Sequence, residues 1–266
     1  KMTMQQAREA AANAHQKLKT LQRVVYIGYG LKRTSGQLTN TPCVVVFVEK
    51  KLPFSALTAQ EIIPFEVEGV PTDVVEVRTV NALIFHAVFP QRKRPCPGGY
   101  SLGHPLITAG TLGLPVVTKE GNVCLLSNAH VLAPFWRGAV QVGDPIFQPG
   151  PVDGGRVGDE VATLESWFSI DFSGKPNQVD AALARIDGSK VDWRMEALNT
   201  IYEKTGDPQP GMAVIKIGRT TGLTRGKIVT IGAAVRVDYG EGKVALFTDQ
   251  VEIVSAEALP FSRPGD

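Results

Sequence analysis

Cysteine is scarce in this chain: Cys43, Cys96 and Cys124 are the only three in 266 residues, and no two share a CxxC spacing. An odd, dispersed set argues against the paired half-cystines of a secreted protein and favours a reducing compartment. Excess charge is also missing, since 28 basic and 26 acidic residues leave a formal net charge of +2. No field of one sign draws the chain to nucleic acid or to an anionic membrane, so neither is expected as a partner. No apolar run approaches the roughly 18 residues of a membrane-spanning helix; the longest, such as Cys43 to Val48, are the size of strands. The segment Lys1 to Arg23 has no apolar core of about 7 to 15 residues, as a signal peptide requires, so a cytoplasmic location is expected. No histidine stands at ligand spacing from a cysteine or an acidic residue, which predicts no metal site and no cofactor.

Turn formers are abundant, with 27 Gly and 18 Pro beside 43% hydrophobic residues. That composition describes a globular chain of short strands and loops, and the length allows two domains. Residues 4–22 carry Ala7, Ala11, Ala14, Leu18 and Leu21 at steps of three and four, the stripe of an amphipathic helix. Packing on its own domain is the simpler use of that stripe, and binding a partner or a second copy stays open.

From Arg23 the pattern turns to strands, VVYIGYGLK, PCVVVFVEKK and PTDVVEVR, with the turn TSGQLTN after the first. SALTAQEIIP predicts a short helix capped by Ser55. Gly28 and Gly30 form a GxG, but a strand follows where a phosphate loop needs a helix. Residues 88–100 carry three prolines and the basic run Arg92, Lys93, Arg94, a linker signal that places a boundary there. Beyond Tyr100, short apolar segments separated by Gly, Pro, Asp and Asn suit antiparallel strands and a pair of β-barrels.

Chemistry concentrates in three landmarks. His130 follows an apolar strand in LLSNAHVL, Asp180 heads the apolar strand in NQVDAALARI, and the last residues read FSRPGD. A neutral imidazole can take a proton from a hydroxyl nucleophile and return it to a leaving group. A buried carboxylate on its far nitrogen fixes the tautomer. Asp171 and Asp187 are rivals to Asp180, but both sit in loop-like sequence. His104 is read as structural, His15 as exposed on the first helix and His86 as part of an interdomain strand.

In their order, these landmarks resemble those of the chymotrypsin-like (trypsin-like) serine peptidases. NAH at 128–130 is similar to the family's histidine motif, DAALARI at 180–186 to its aspartate strand, and Gly265–Asp266 to the start of Gly-Asp-Ser-Gly. IGRTTGLTRGKI at 217–228 looks like a hairpin of bacterial peptidases of the alpha-lytic type. VVFVEKKLP and GVPTDVVEV resemble the module that precedes the peptidase in bacterial proteins related to the plant narrow-leaf peptidase.

The resemblance implies a mainly β fold: two antiparallel six-stranded β-barrels, the second incomplete in this chain, preceded by a small α/β module with an N-terminal helix. The helix would take 1–23, the module 24–95 and the peptidase domain 96–266. His130 and Asp180 would belong to a Ser-His-Asp triad whose serine follows Asp266. Gly265 would give an oxyanion-hole N–H. Phe261, Ser262 and Arg263 would wall the substrate pocket, where an apolar Phe261 argues against a basic specificity residue.

Implied is an intracellular serine endopeptidase acting on a protein or peptide substrate. The alternative is an inactive pseudopeptidase that serves as a protein-binding scaffold. Self-association stays open, as do three accounts of the C-terminal end. The natural chain continues past Asp266, or is cut there with a serine-led C-terminal segment still bound, or has been deliberately shortened.

Overall fold

The computed structural model describes residues 2–81, 87–202 and 204–266; His86 lies outside the described residues. The fold is mainly β, and the helix Met4–Leu18 precedes every strand. Thr3 and Gln6 start that helix with a reciprocal capping box, Thr3 Oγ1 accepting the Gln6 N–H at 3.2 Å and Gln6 Oε1 accepting the Thr3 N–H at 2.9 Å. Ala7, Ala10, Ala11, Ala14 and Leu18 are buried against Ile27, Val44 and Val46, so the small-residue stripe is spent on the module's own sheet. His15 is not simply exposed: its ring meets Tyr26 edge-on, with centroids 4.9 Å apart, because the helix lies across that strand.

The strands Val24–Thr34 and Gln37–Val48 form an antiparallel hairpin with Thr34 opposite Gln37. Its turn is only Ser35 and Gly36, with φ of 50° and 79°, the positive pair that a two-residue type I′ turn requires. The helix expected in SALTAQEIIP does not form. A 3-10 turn, Phe54–Ala56, is followed by a turn in which the Glu61 carboxylate accepts the Thr58 N–H and Oγ–H. Pro53 and Pro64 confine the segment to a length too short to repay helix nucleation.

One sheet has eight strands. Its axis is the long strand Gly222–Asp238, with Val244–Ser255 along one edge. The opposite edge carries, in succession, Ala213–Gly218, then Tyr29 and Gly30 of the first hairpin, then Arg78–Asn81. The hairpin continues outward through Val70–Glu76 and Glu66–Val67. Backbone pairing therefore crosses the expected boundary at 95/96.

Gly28 and Gly30 owe their identity to this crossing. A Cβ on Gly28 would strike the carbonyl oxygen of Ile231, and one on Gly30 that of Val229. Close approach of two strands, and not a phosphate, explains the GxG.

The second sheet has five strands, in the order Pro145–Phe147, Glu160–Trp167, Ala182–Ile186, Val123–Ser127 and Leu114–Val117. Leu102, Leu112, Leu125, Leu132, Ile146 and Leu164 fill its core. Among the described residues no sheet closes into a barrel. The edge of Gly222–Asp238 is occupied by the N-terminal hairpin and Arg78–Asn81, segments from ahead of the expected peptidase domain. No helix among the described residues is long and apolar enough to cross a membrane. All three cysteines are free and buried. Burial pushes the Cys43 thiol up to about 12, reinforced by Asp73, and raises those of Cys96 and Cys124.

Candidate active site

Strand register brings His130 and Asp180 together. Ser127, the last residue of Val123–Ser127, pairs with Ala182, so the chain just after one strand meets the chain just before its neighbour. Ala129, Val131 and Leu132 are buried and fix the short helix Ala129–Leu132, while the His130 side chain keeps 30% exposure. His130 Nδ1 lies 2.5 Å from Asp180 Oδ2, and the His130 backbone N–H donates to Asp180 Oδ1 at 3.1 Å. Asn128 Nδ2 holds the Asp180 carbonyl at 3.0 Å. Nε2 of His130 has no partner among the described residues. The rivals are engaged elsewhere, Asp171 with Ser173 and Asp187 with Ser189.

A third group on the aspartate escaped the sequence reading. Tyr239, at the end of the long strand, donates its hydroxyl to Asp180 Oδ2 at 3.0 Å. Trp136 and Phe172 pack edge-on against the Tyr239 ring, with centroids 5.4 and 5.9 Å away. Burial raises the Asp180 carboxyl, but the hydrogen bonds and charge of His130, with the Tyr239 hydroxyl, outweigh it and leave the carboxyl below its ordinary value. Burial and the Asp180 charge push the Tyr239 phenol well up, so it stays a donor. A cavity of ≈ 420 Å³ opens here, with Val235, Val237 and Phe247 as an apolar wall facing His130 and Asp180.

Gly265 has φ 94° and lies against Thr220 and Arg219, where a Cβ would come within 2.6 Å of Thr220 Oγ1. Its carbonyl accepts Thr111 Oγ1 at 2.7 Å, and the Thr111 carbonyl accepts Ser127 Oγ at 2.7 Å. This relay ties Gly265 to the segment carrying His130. The Gly265 N–H donates no hydrogen bond among the described residues.

Asp266 is 1% exposed in its side chain and saturated with donors. Oδ1 accepts the N–H groups of Thr220 and Thr221 at 2.9 and 2.8 Å. Oδ2 accepts Lys216 Nζ at 2.7 Å, Thr221 Oγ1 at 2.5 Å and the Arg263 N–H at 3.0 Å. Burial works to raise this carboxyl, and the donors, Lys216 first, overcome it and hold it low. Gly218 must lack a side chain, since a Cβ there would strike Asp266 Oδ1.

Phe261 stacks near Gly226 and lies under Lys216 Nζ, 5.7 Å from the ring centroid. Ser262 and Arg263 are exposed. His104, 4% exposed, accepts the Leu106 N–H on Nδ1 at 3.1 Å and faces Asp144 with Nε2 at 3.3 Å, the engagement of a structural histidine. Tyr239, Thr111 and Lys216 carry no local signal, because each acts on a residue far away in sequence.

The class these features define is a mainly β chain that holds a half-exposed histidine against a buried aspartate. Residues 11–80 match the family model described as NARROW LEAF 1 N-terminal domain. The chain is similar to Protein NARROW LEAF 1 of Oryza sativa subsp. japonica, 24% identical over 282 residues that cover 89% of this chain and 46% of that protein. It therefore spans about half the length of the curated relative it matches. The narrow-leaf likeness expected from the sequence is thereby found. Neither description states an activity.

Proposed function

We propose that the chain is the His–Asp-bearing part of a serine endopeptidase that works through a Ser-His-Asp triad, with the serine directly following Asp266. The observation that carries this reading is the His130 Nδ1···Asp180 Oδ2 pair at 2.5 Å with Nε2 left unpartnered. A carboxylate on Nδ1 keeps that proton in place and leaves Nε2 as the base.

In this reading the serine oxygen attacks the peptide carbonyl carbon while its proton passes to His130 Nε2. The resulting imidazolium, stabilised by Asp180, gives the proton to the leaving amine, and water repeats the sequence to release the acyl group. The Gly265 N–H faces the developing oxyanion, and the buried Asp266 carboxylate holds the turn that aims it. Phe261, Ser262 and Arg263 wall the pocket for the side chain preceding the cleaved bond. Residues 96–266 then belong to a chymotrypsin-like domain of two six-stranded barrels, the second incomplete in this chain, with 24–95 as its accessory module.

The test is labelling of the full-length protein with a fluorophosphonate probe. Labelling is expected in the parent and lost in His130→Ala and Asp180→Ala, both folded by circular dichroism. Labelling indifferent to His130, or none in a full-length chain whose residue after Asp266 is not serine, favours the pseudopeptidase scaffold instead.

A further inference from the structure

A second cavity, of ≈ 440 Å³, lies in the N-terminal module and shares no lining residue with the one beside His130. All of it falls within the segment that matches the NARROW LEAF 1 N-terminal domain. Its size is that of a small-molecule site, and five separate chain segments close around it. Val48, Leu52, Leu57, Ile62, Ile63 and Val74 supply an apolar lining. Phe54 and Phe65, also lining it, are 64% and 86% exposed.

The polar lining is strongly one-sided. Arg23, Lys32, Arg33, Lys50 and Lys51 face it against only Glu61 and Asp73. Glu61 is paired with Arg23, whereas Asp73 accepts only the neutral Arg33 backbone N–H at 2.7 Å and keeps its charge in the lining. Lys32 and Lys51 donate to the neutral carbonyls of Thr72 and Val74, so neither makes an ion pair and the lining keeps more positive than negative charge. Lys50 has no partner among the described residues. Arg33 pairs with Glu252 through Nη2, yet its Nη1 is buried without a hydrogen-bond partner.

We propose that this cavity binds a small amphipathic anion: one carboxylate, sulfate or phosphate head on an apolar body. An excess of cations alone would describe a solvated surface, and apolar walls alone a packing defect. Their convergence in one concavity calls for a ligand with both properties.

Isothermal titration of the full chain with dodecanoate, below its aggregation concentration, tests this. Saturable binding at one site is expected, weakening from dodecanoate to octanoate and absent with acetate. The variant Lys50→Glu/Lys51→Glu, altered at two exposed positions, should bind about tenfold or more weakly at an unchanged melting midpoint. If that variant fails to fold, Lys50→Ala should still weaken binding. Absence of dodecanoate binding overturns the proposal. So does equal binding of dodecyltrimethylammonium, affinity indifferent to both variants, or capture of a Glu-rich peptide in place of dodecanoate.

Discussion

Replacing Asp153 by alanine should destabilise the chain by about 3–5 kcal/mol, because it leaves a buried guanidinium without its counter-charge. Arg219 is 2% exposed and Asp153 9%, and they pair bidentately, Nε to Oδ2 at 2.6 Å and Nη2 to Oδ1 at 2.7 Å. Asp153 Oδ2 also accepts Ser101 Oγ at 2.5 Å, and Ser101 Oγ accepts the Gly150 N–H at 3.0 Å. The substitution therefore orphans a charge and a hydroxyl together. At about 2–4 °C per kcal/mol for a chain of this size, the melting midpoint should fall by roughly 10 °C. Calorimetry at neutral pH measures it, with urea unfolding as the check on ΔG. Removing both charges, Asp153→Leu with Arg219→Met, should recover most of the loss, since a buried pair contributes little net once both partners go. About 1 kcal/mol should remain for the stranded Ser101 hydroxyl. A single-variant loss below about 1 kcal/mol would place the pair among exposed ion pairs and refute its burial.

Tyr239→Phe removes the hydroxyl donor from Asp180, so the Asp180 carboxyl should titrate at higher pH by ¹³C NMR. On the peptidase reading proposed above, kcat of the full-length protein should fall about tenfold or more, and an unmoved carboxyl would refute the hydrogen bond. Gly28→Ala should cost about 1–3 kcal/mol or more by forcing its strand from the Ile231 and Gly232 carbonyls, whereas Gly206→Ala, with open space around it, should be near neutral in the same melts. Asp266 has a depressed folded pKa, so its contribution is fully present above the unfolded carboxyl value near about 3.9 and is lost as pH falls through the lower folded value. Lys216→Met should accordingly lower the melting midpoint at pH 7, with the gap to the parent closing below about pH 4; a gap constant with pH counts against the ion pair.

What could be read in the sequence was what neighbours in the chain decide. The stripe from Ala7 to Leu18 specifies a helix and its buried face, and a turn is expected in TSGQLTN, of which only Ser35–Gly36 turn while Gln37 to Asn40 already belong to the second strand. His130 and Asp180 were legible because each stands where an apolar strand ends or begins, and two such strands in register place their flanks side by side. One local signal misled, and one residue pattern had a reason that no local reading supplies. SALTAQEIIP has helix formers, but the prolines on either side leave too few residues to repay nucleation. The GxG, already set aside as a phosphate loop because a strand follows it, finds its reason only in the distant carbonyls of Val229 and Ile231.

The same long strand explains why the module boundary and the third ligand of Asp180 were both hidden. Ile231 pairs with Tyr29 of the N-terminal hairpin, and Tyr239, just past the strand's end, reaches Asp180. A segment that reads locally as one more barrel strand thus joins the N-terminal module to the histidine–aspartate pair through continuous backbone. A substitution at Gly28 that shifts this strand should therefore also disturb the Tyr239–Asp180 bond, and the Asp180 carboxyl should report it by titrating higher. An Asp180 titration unchanged in a destabilised Gly28→Ala chain would show that the strand bends without transmitting the shift.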